Sequence, residues 1–424
     1  MLYTIEKRPP DTTVIKLVKS TFYREEETKA QLWTFLRNAS QLSFGPFCEA
    51  FEEQFAKYQG RRHCVFLNSG SSANLALVQA LLNLGRIERG DAVGFSAVTW
   101  STNVMPFIQL GLRAVPIDVE LSTLNVSSTT LAAVLECTPL KMVLLTNLLG
   151  WCSDIDVIRR LCAERGMLLV EDTCEALGSV YKGVRLGNYG LASTFSFYVG
   201  HHLSTVEGGA VCTDDQELAT MLRIVRAHGW DRNLSLDQQG EIRRKFRLNS
   251  VFESRYTFYD LGFNLRPTEV SGCLGTIQLK YIEEIVARRR ANFARLGPPI
   301  YARTDRFYPL TTDHLDVFSN FAVPVVCRTR ALRDVLVARC NERIEIRPIV
   351  GGNITQQPFY RKYMPAVDDA AVLNARLIND HGLYFGNNPE MTDDDITDIL
   401  EVFAAREGVR VSAAASVPVS VTHS

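Results

Sequence analysis

Short apolar runs alternate with helix-length spacers between residues 30 and 230, and this alternation constrains the fold more than any other feature. The runs lack strict polar alternation, which is typical of strands covered on both faces. Strands separated by helices predict βαβ units around a mostly parallel sheet, and hence an α/β fold. The runs are CVFLN (64–68), AVGFSAV (92–98), RAVPIDV (113–119), KMVLLTN (141–147), MLLVED (167–172), TFSFY (194–198) and GGAVCTD (208–214).

A polar segment, residues 232–255, separates this region from the rest of the chain. The segment is charged and weakly periodic, so we expect a long loop or flap there. The following stretch, 267–297, has helical spacing and contains the run Arg288, Arg289 and Arg290. Consecutive like charges on a helix are typical of a solvated face, and we expect one here.

The C-terminal part of the chain predicts a second, smaller α/β unit. From residue 318 onward, strand-like runs (NFAVPVV, RIEIRP and GLYFG) alternate with helix-like stretches. We therefore expect a large domain over residues 1–285, including the flap, and a small domain over 286–408. The remaining 409–424 are small and polar, which predicts a disordered tail.

The composition excludes several classes of function. The 424 residues carry 46 basic and 47 acidic side chains, a formal net charge of −1, whereas nucleic-acid-binding proteins normally have a basic excess. No apolar run approaches the roughly 18 residues of a membrane span. The N-terminal sequence MLYTIEKRPPDTTVIK is too charged to resemble a signal peptide. We expect a cytoplasmic enzyme with no nucleic-acid or membrane partner.

The ten cysteines are scattered, and no two are closer than ten positions. Zinc and iron–sulfur sites normally use closely spaced pairs such as CxxC. We therefore expect core thiols, with no metal site and no iron–sulfur cluster.

Two motifs place polar groups at the carboxyl ends of strands, where open α/β sheets bind their ligands. NSGSSAN (68–74) follows a strand and opens a helix. Its backbone amides form a candidate phosphate site, although many such turns bind nothing. LLVEDTCEALGS (168–179) puts Asp172 at a strand end. That carboxylate can hold a pyridinium nitrogen protonated, or it can simply cap the next helix.

A third motif, STFSFYVGHHLSTVEGGAV (193–211), together with the two above, resembles the DegT/StrS family of vitamin B6-dependent sugar aminotransferases. In that family a lysine five residues after the serine of a Ser-Phe-aromatic motif binds the cofactor covalently. Counting from Ser196, this position is occupied by His201. No lysine occurs between Lys182 and Lys245, so the covalent anchor is missing.

The resemblance extends from about residue 30 to 405. It implies the aspartate-aminotransferase-like fold (fold type I) and a homodimer with composite active sites. The further matching blocks are TWSTN (99–103), LGFNLRPTEVSGCLGTIQLKYIEEIVARRRANF (261–293), EIRPIVGGN (345–353) and GLYFGNN (382–388).

With a histidine in place of the lysine, the chain resembles the 3-dehydrases of deoxysugar pathways. These enzymes form two branches. One branch carries an iron–sulfur cluster on cysteines that follow the EGG motif, and this chain has none between Cys212 and Cys273. The resemblance therefore favours the branch without a cluster, which acts on GDP-4-keto-6-deoxymannose. The nucleotide base stays open. Two alternatives remain. The substrate is another nucleotide-linked 4-ketohexose of a natural-product pathway, or the chain is a non-catalytic cofactor-binding homologue.

The implied reaction uses pyridoxal 5′-phosphate and pyridoxamine 5′-phosphate, with L-glutamate as amino donor, and removes the 3-hydroxyl of the sugar. His201 would move the proton, because imidazole titrates near neutral pH. Asp172 would pair with the ring nitrogen of the cofactor, and Trp100 would stack on the ring. Glu175 would lie near the 3-hydroxyl of the cofactor, and the alternative is an exposed helical glutamate.

The resemblance also implies contacts to phosphate and substrate. Gly70, Ser71 and Ser196 would bind the cofactor phosphate, together with Asn264 from the second subunit. Arg347 would bind the glutamate carboxylate or the nucleotide, although a structural ion pair is an alternative. His228 would contact the sugar or a phosphate, and a packing role is the alternative.

Overall fold

A large mixed sheet forms the centre of the computed structural model, which describes residues 14–404. The predicted apolar runs of the first half all become strands, within two or three residues of the expected bounds. The strands are β1 (His63–Leu67), β2 (Ala92–Ser96), β3 (Arg113–Ile117), β4 (Met142–Thr146), β5 (Leu168–Asp172), β6 (Val180–Tyr181), β7 (Val184–Arg185), β8 (Ala192–Ser196), β9 (Gly209–Thr213), β10 (Leu315–Val317), β11 (Ala322–Val326), β12 (Ile346–Arg347) and β13 (Gly382–Gly386).

The central sheet has seven strands in the order β1-β9-β8-β5-β4-β2-β3, and only β9 runs against its neighbours. The prediction of a mostly parallel α/β sheet is confirmed. The connection from β8 to the antiparallel β9, residues 197–208, is short and contains no helix. This helix-free connection carries the histidine motif, and it begins at the carboxyl end of β8.

Helices pack against the central sheet and lie between most of its consecutive parallel strands, whereas β5 and β8 are joined through β6 and β7. The helices are α1 (Glu25–Asn38), α2 (Pro46–Gln59), α3 (Gly70–Asn83), α4 (Met105–Gln109), α5 (Ser128–Cys137), α6 (Ile155–Glu164), α7 (Gln216–Arg226), α8 (Leu236–Lys245), α9 (Val251–Ser254), α10 (Glu269–Leu279), α11 (Ile282–Tyr301), α12 (Arg330–Cys340), α13 (Pro358–Tyr363), α14 (Leu373–His381) and α15 (Asp393–Phe403). Within residues 14–404, none of these helices is long and apolar enough to cross a membrane.

Two smaller sheets accompany the central one. β11, β13 and β12 form an antiparallel sheet in that order, with β13 in the middle, and β10, β6 and β7 form a second. The antiparallel sheet lies in the region predicted as the small domain. The predicted boundary at residues 285–286 falls inside α11 and stays a prediction. The predicted tail, 409–424, lies outside the described residues.

An aromatic cluster fixes β8, the strand that leads into the histidine motif. Phe195 and Phe197 lie at the end of β8 and are fully buried. Their rings contact those of Phe51 and Phe55 on α2 at centroid distances of 5.0–5.2 Å, in edge-to-face arrangements. Such pairs stabilise a core beyond the area that they bury. Ser196, the residue between Phe195 and Phe197, therefore has a fixed position.

The structure corrects two expectations from charge patterns. The segment 232–255 was expected to be a long loop, but it contains α8 and α9. Ser235 and Gln238 form a capping box at the start of α8, and this helix has no buried residue, which explains its weak apolar periodicity. The second correction concerns the arginine run of α11. Arg288 and Arg290 are solvated, but Arg289 is only 3% exposed, so the expected solvated face is wrong for that residue.

Candidate active site

A cavity of about 370 Å³ lies at the carboxyl ends of β2, β4, β5 and β8. Its lining brings together seven of the ten predicted site residues: Gly70, Ser71, Trp100, Asp172, Glu175, Ser196 and His201. A larger groove of about 990 Å³ lies between α2, α7 and α8 and contains none of the ten. The cavity at the strand ends is therefore the candidate active site.

The N-terminus of α3 forms one end of the cavity. Ser69 caps this helix by accepting a hydrogen bond from the Ser72 amide at 3.0 Å. The first amides of a helix lack intrahelical partners, so those of Gly70 and Ser71 are available to an anion. A Cβ on Gly70 would lie 2.7 Å from the Ser196 Cβ, so only glycine lets α3 begin this close to β8. The Ser196 hydroxyl is therefore held beside the helix N-terminus.

Asp172 lies buried at the end of β5. One carboxylate oxygen accepts a hydrogen bond from the Cys174 amide at 2.9 Å, and the other accepts one from the Asn74 side chain at 3.3 Å. The alternative reading of Asp172 as a helix cap is wrong, because residues 173–191 form turns and two short strands and contain no helix. The carboxylate instead starts a turn and lines the cavity, and its pairing with a ring nitrogen stays a prediction. Asn74 donates to Asn103 as well, at 2.9 Å, and its own side-chain oxygen is buried without a partner. Asn74 was not among the predicted site residues, although it ends the NSGSSAN motif.

His201 lies in the helix-free connection between β8 and β9, and one of its ring nitrogens is anchored. Its Nδ1 is 2.9 Å from the Cys174 carbonyl oxygen. A carbonyl can only accept, so Nδ1 carries the proton and Nε2 keeps a free lone pair. Burial lowers the pKa of His201 to about 4, with a smaller lowering by the charge of Arg289. The imidazole is therefore neutral near pH 7, in the form that accepts a proton.

The neighbouring His202 has a different environment. It is buried outside the cavity, and its Nε2 donates to the Ser319 carbonyl at 3.2 Å. Burial holds its pKa well below the ordinary value. The structure thus distinguishes the two consecutive histidines, and only His201 lines the cavity.

Glu175 is not an exposed helical residue. It lines the cavity, and its carboxyl group accepts a hydrogen bond from the Leu149 amide at 2.8 Å. Burial raises the pKa of Glu175 to about 8, and the nearby Asp172 adds to this increase. The carboxyl group is therefore largely protonated at pH 7, so it can donate a hydrogen bond.

Three predicted site residues lie outside the cavity lining. Asn264 is exposed and accepts a hydrogen bond from Arg266 at 3.0 Å. Arg347 is exposed and forms an ion pair with Glu345. His228 is exposed, with φ at 59°, and its ring lies edge-on to that of Trp230 at 5.3 Å, so a packing contact is what the structure shows for it.

Residues distant in sequence close the other side of the cavity. They are Phe321, Val350 and Tyr384, which lie before β11, after β12 and on β13. The Phe321 ring is 5.0 Å from the imidazole of His201. Tyr384 pairs across the antiparallel sheet with Arg347, so Arg347 lies one strand away from the cavity wall. Val350 and Tyr384 lie within the matching blocks EIRPIVGGN and GLYFGNN, but neither was predicted as a site residue. Tyr198, also missed, lies within the predicted SFY motif.

Two curated relatives cover most of the chain. The GDP-4-keto-6-deoxy-D-mannose 3-dehydratase of Escherichia coli O55:H7 is 33% identical over 384 residues, 86% of this chain and 94% of the relative. The dTDP-4-dehydro-2,6-dideoxy-D-glucose 3-dehydratase of Saccharopolyspora spinosa is also 33% identical, over 86% of this chain and 81% of the relative. The two relatives are named for substrates with different nucleotides, and this chain is equally identical in sequence to both. The identity therefore does not decide which nucleotide base this chain would bind.

A solved GDP-4-keto-6-deoxymannose-3-dehydratase, with a trapped PLP–glutamate geminal diamine, matches with a TM-score of 0.82. It is 31% identical and covers 91% of this chain and 99% of its own. The expected aspartate-aminotransferase-like architecture is confirmed by this match. The family model DegT/DnrJ/EryC1/StrS aminotransferase matches residues 23–404. The chain therefore belongs to the DegT/DnrJ/EryC1/StrS aminotransferase family.

Proposed function

We propose that this chain is a pyridoxal/pyridoxamine phosphate-dependent 3-dehydratase of a nucleotide-linked 4-keto-6-deoxyhexose, with L-glutamate as amino donor. The observation that carries the proposal is His201, which stands in the cavity with Nδ1 anchored and Nε2 free. GDP-4-keto-6-deoxymannose is the first-choice substrate. Both relatives above, which share a third of their sequence with this chain, are sugar 3-dehydratases.

The residues of the cavity fit the cofactor. The amides of Gly70 and Ser71 and the hydroxyl of Ser196 form a cradle for the phosphate, since a helix N-terminus favours an anion. Asp172 would pair with the ring nitrogen at the other end. The partnerless side-chain oxygen of Asn74 is a buried acceptor that a bound ligand can satisfy.

The ring would be held between stacking and hydrogen-bonding groups. Trp100 is the aromatic residue proposed to stack on it. Glu175, being protonated, would donate a hydrogen bond to the oxygen at position 3 of the ring. Bound in this way, the cofactor supplies an electron sink for the breaking of bonds at the neighbouring carbon. Within residues 14–404 no lysine lines the cavity, so binding would rest on these non-covalent contacts.

His201 would act as the general base. Nε2 takes the proton from the C4′ carbon of the cofactor, and the Cys174 carbonyl holds the Nδ1–H while the ring becomes positively charged. The imidazolium would then assist departure of the sugar 3-hydroxyl, because it can give its proton to the leaving oxygen. A positioned base of this kind is worth about 10²–10⁴ in rate.

We further propose that the enzyme works as a homodimer. Trp100 and Tyr198 line the cavity and are each 54% exposed, so the cavity is open where a second subunit would close it. Asn264 is exposed and would reach the cofactor phosphate of the partner. Trp33 on α1 is 64% exposed, which adds an apolar surface suited to an interface.

Arg347 and His228 are retained as candidate substrate contacts. The side chain of Arg347 is half exposed in its ion pair with Glu345, so it can exchange this partner for a carboxylate or phosphate. His228 would contact sugar or phosphate by way of its exposed ring.

The test is incubation with GDP-4-keto-6-deoxymannose and glutamate, followed by mass spectrometry of the product. We expect a 3-deoxy-4-keto sugar only when glutamate is present. A parallel incubation uses the dTDP-linked 4-keto-2,6-dideoxyglucose, because the Saccharopolyspora relative acts on that class and is equally identical. Turnover of this second sugar alone would reassign the nucleotide.

The non-catalytic alternative is tested separately by absorbance. A working enzyme converts bound pyridoxal phosphate into pyridoxamine phosphate when glutamate is added. A protein that binds the cofactor but shows no such change with glutamate contradicts the proposed function.

A further inference from the structure

The buried member of the arginine run, Arg289, lies next to the turn that carries His201. It projects from α11 and is 3% exposed. Its guanidinium donates to three backbone carbonyls, those of Phe321 at 2.8 Å, Asn387 at 2.6 Å and Gly200 at 3.4 Å. Gly200 immediately precedes His201, and the Phe321 ring contacts the imidazole. One side chain thus joins the histidine turn to one end of the antiparallel sheet, where the start of β11 lies beside the end of β13.

This arginine has no counter-ion. Within residues 14–404, no carboxylate lies within ion-pair distance of Arg289, and burial lowers its pKa to about 9. Burying a cation without an anionic partner is costly, and three carbonyl acceptors offset only part of the cost. The side chain of Asn387 donates back to the Arg289 carbonyl at 2.9 Å, which makes the link between α11 and the end of β13 reciprocal. The free-energy cost of burying this cation, together with its several hydrogen bonds, suggests that Arg289 has a function.

We propose that Arg289 is a positioning residue for His201: its guanidinium locks the histidine turn against the antiparallel sheet and places a fixed positive charge behind the imidazole. This inference rests on the proposed role of His201 as base. It explains why the middle arginine of a run predicted to be solvated is buried instead.

The electrostatic part of the proposal has a defined sign. A positive charge beside His201 disfavours the imidazolium, so it keeps the base in its proton-accepting form, and it acts on His202 in the same way. Among residues 14–404, Arg289 is the one charged side chain that lowers the pKa of His201, after burial as the main cause. The other titratable groups lining the cavity with His201 are Asp172, Cys174, Glu175, Tyr198, Glu207 and Tyr384.

The experiment compares Arg289→Gln and Arg289→Lys with a matched control, Arg290→Gln. Arg290 is the next residue on α11, and it is exposed. Hydrogen–deuterium exchange of the cofactor-loaded protein follows residues 197–206, and the single-turnover rate of the glutamate half-reaction is measured against pH at cofactor saturation. The exchange measurement does not depend on which sugar is turned over.

For Arg289→Gln we expect faster exchange in 197–206 and a rate lower by about 10- to 100-fold, since a small displacement of the base is sufficient for such a loss. The acid limb of the pH profile should move upward by about half to one unit, because the removed charge no longer disfavours the imidazolium. Arg289→Lys keeps the charge but cannot reach all three carbonyls. Its rate should fall while its acid limb stays in place.

Arg290→Gln should match the wild type in all three measurements. If Arg289→Gln exchanges like the wild type, or exchanges faster with an unchanged rate and acid limb, Arg289 is only structural and the proposal is wrong. Should Arg289→Gln fail to fold, Arg289→Lys decides, because a wild-type rate in that variant overturns the positioning role. Failure of the proposed function is recognised separately, as the absence of a glutamate half-reaction in the wild type, and wild-type exchange in Arg289→Gln would then still overturn the positioning role.

Discussion

One side of the cavity is the carboxyl edge of the seven-stranded sheet, and the opposite side is built from the antiparallel sheet. Asp172, Ser196 and His201 belong to the first side, and each lies at or just after a strand end. Phe321 and Tyr384 belong to the second side, and they come from much later in the chain. The first side holds the groups that we propose to exchange protons and bind phosphate. The second side shapes and closes the site, so the proposed chemistry and the enclosure come from different parts of the sequence.

The sharpest test of this division is His201→Asn. We expect both half-reactions to slow by about 10²–10⁴-fold, because asparagine keeps a hydrogen-bonding side chain but cannot accept the proton. Binding of pyridoxamine phosphate should stay within a few-fold of the wild type. The measurement is single-turnover loss of the sugar 3-hydroxyl, with cofactor occupancy determined separately.

The adjacent histidine provides the matched control for this test. His202→Asn changes the same residue type one position away, but on a side chain that contacts Ser319 instead of the cavity. Its effect on the rate at full occupancy should be far smaller than that of His201→Asn. Near wild-type dehydration by His201→Asn would place the base elsewhere, and His202 would then be the first residue to examine.

The next effect concerns the part of the site proposed to come from a second subunit. Asn264→Ala should weaken cofactor binding about ten- to hundredfold, since a lost hydrogen bond to a charged group is worth roughly 1.5–3 kcal/mol. Titration of the cofactor into the cofactor-free protein measures this. The variant should fold normally, because Asn264 is exposed.

Mixing subunits shows where Asn264 acts. When Asn264→Ala and His201→Asn subunits are unfolded together and reassembled at equal amounts, a site that combines the intact residues of both can form. In a two-fold symmetric dimer about a quarter of all sites would regain both residues. Activity recovered to that extent supports the composite site, and no recovery shows that Asn264 acts within its own subunit.

The sequence predicted the side of the cavity that carries chemistry much better than the side that encloses it. Strand ends, a glycine turn and a conspicuous histidine are local signals, and Gly70, Asp172 and His201 meet in the cavity as expected. Tyr384 lies in the matching block GLYFGNN, but the block does not show that this side chain reaches the cavity, because that depends on the packing of one sheet against another. Arg289 was misjudged for a related reason: charge composition predicts solvation unless the backbone carbonyls that surround a side chain are known.

A smaller effect, on stability, follows from Glu175. Its folded pKa is about 8, against an ordinary value of 4.5, so the folded chain retains a proton that the unfolded chain releases. Stability from this group is fully present below about pH 4.5 and is lost as the pH rises through about 8. Glu175→Gln removes the ionisation and keeps the acceptor for the Leu149 amide.

We therefore compare the free energy of unfolding of Glu175→Gln with that of the wild type at two pH values. The difference in favour of the variant should be about 1–3 kcal/mol larger at pH 8 than at pH 5. Chemical denaturation of the cofactor-free protein at the two pH values measures the difference. Glu164→Gln, an exposed glutamate at the end of α6, is the control and should show no pH-dependent difference. An equal change for both variants would mean that Glu175 is solvated.

The smallest effect is expected for Cys174→Ala, and it separates backbone from side chain at the edge of the central sheet. Cys174 lines the cavity, but the group that holds Nδ1 of His201 is its carbonyl, which alanine retains. Burial raises the pKa of the thiol well above its ordinary value, so the group stays protonated and unreactive. We expect dehydration rates within about three-fold of the wild type, because cysteine behaves here as a small apolar side chain. A loss greater than tenfold at full cofactor occupancy would show that the thiol itself takes part, and the anchoring of His201 would then depend on more than the carbonyl.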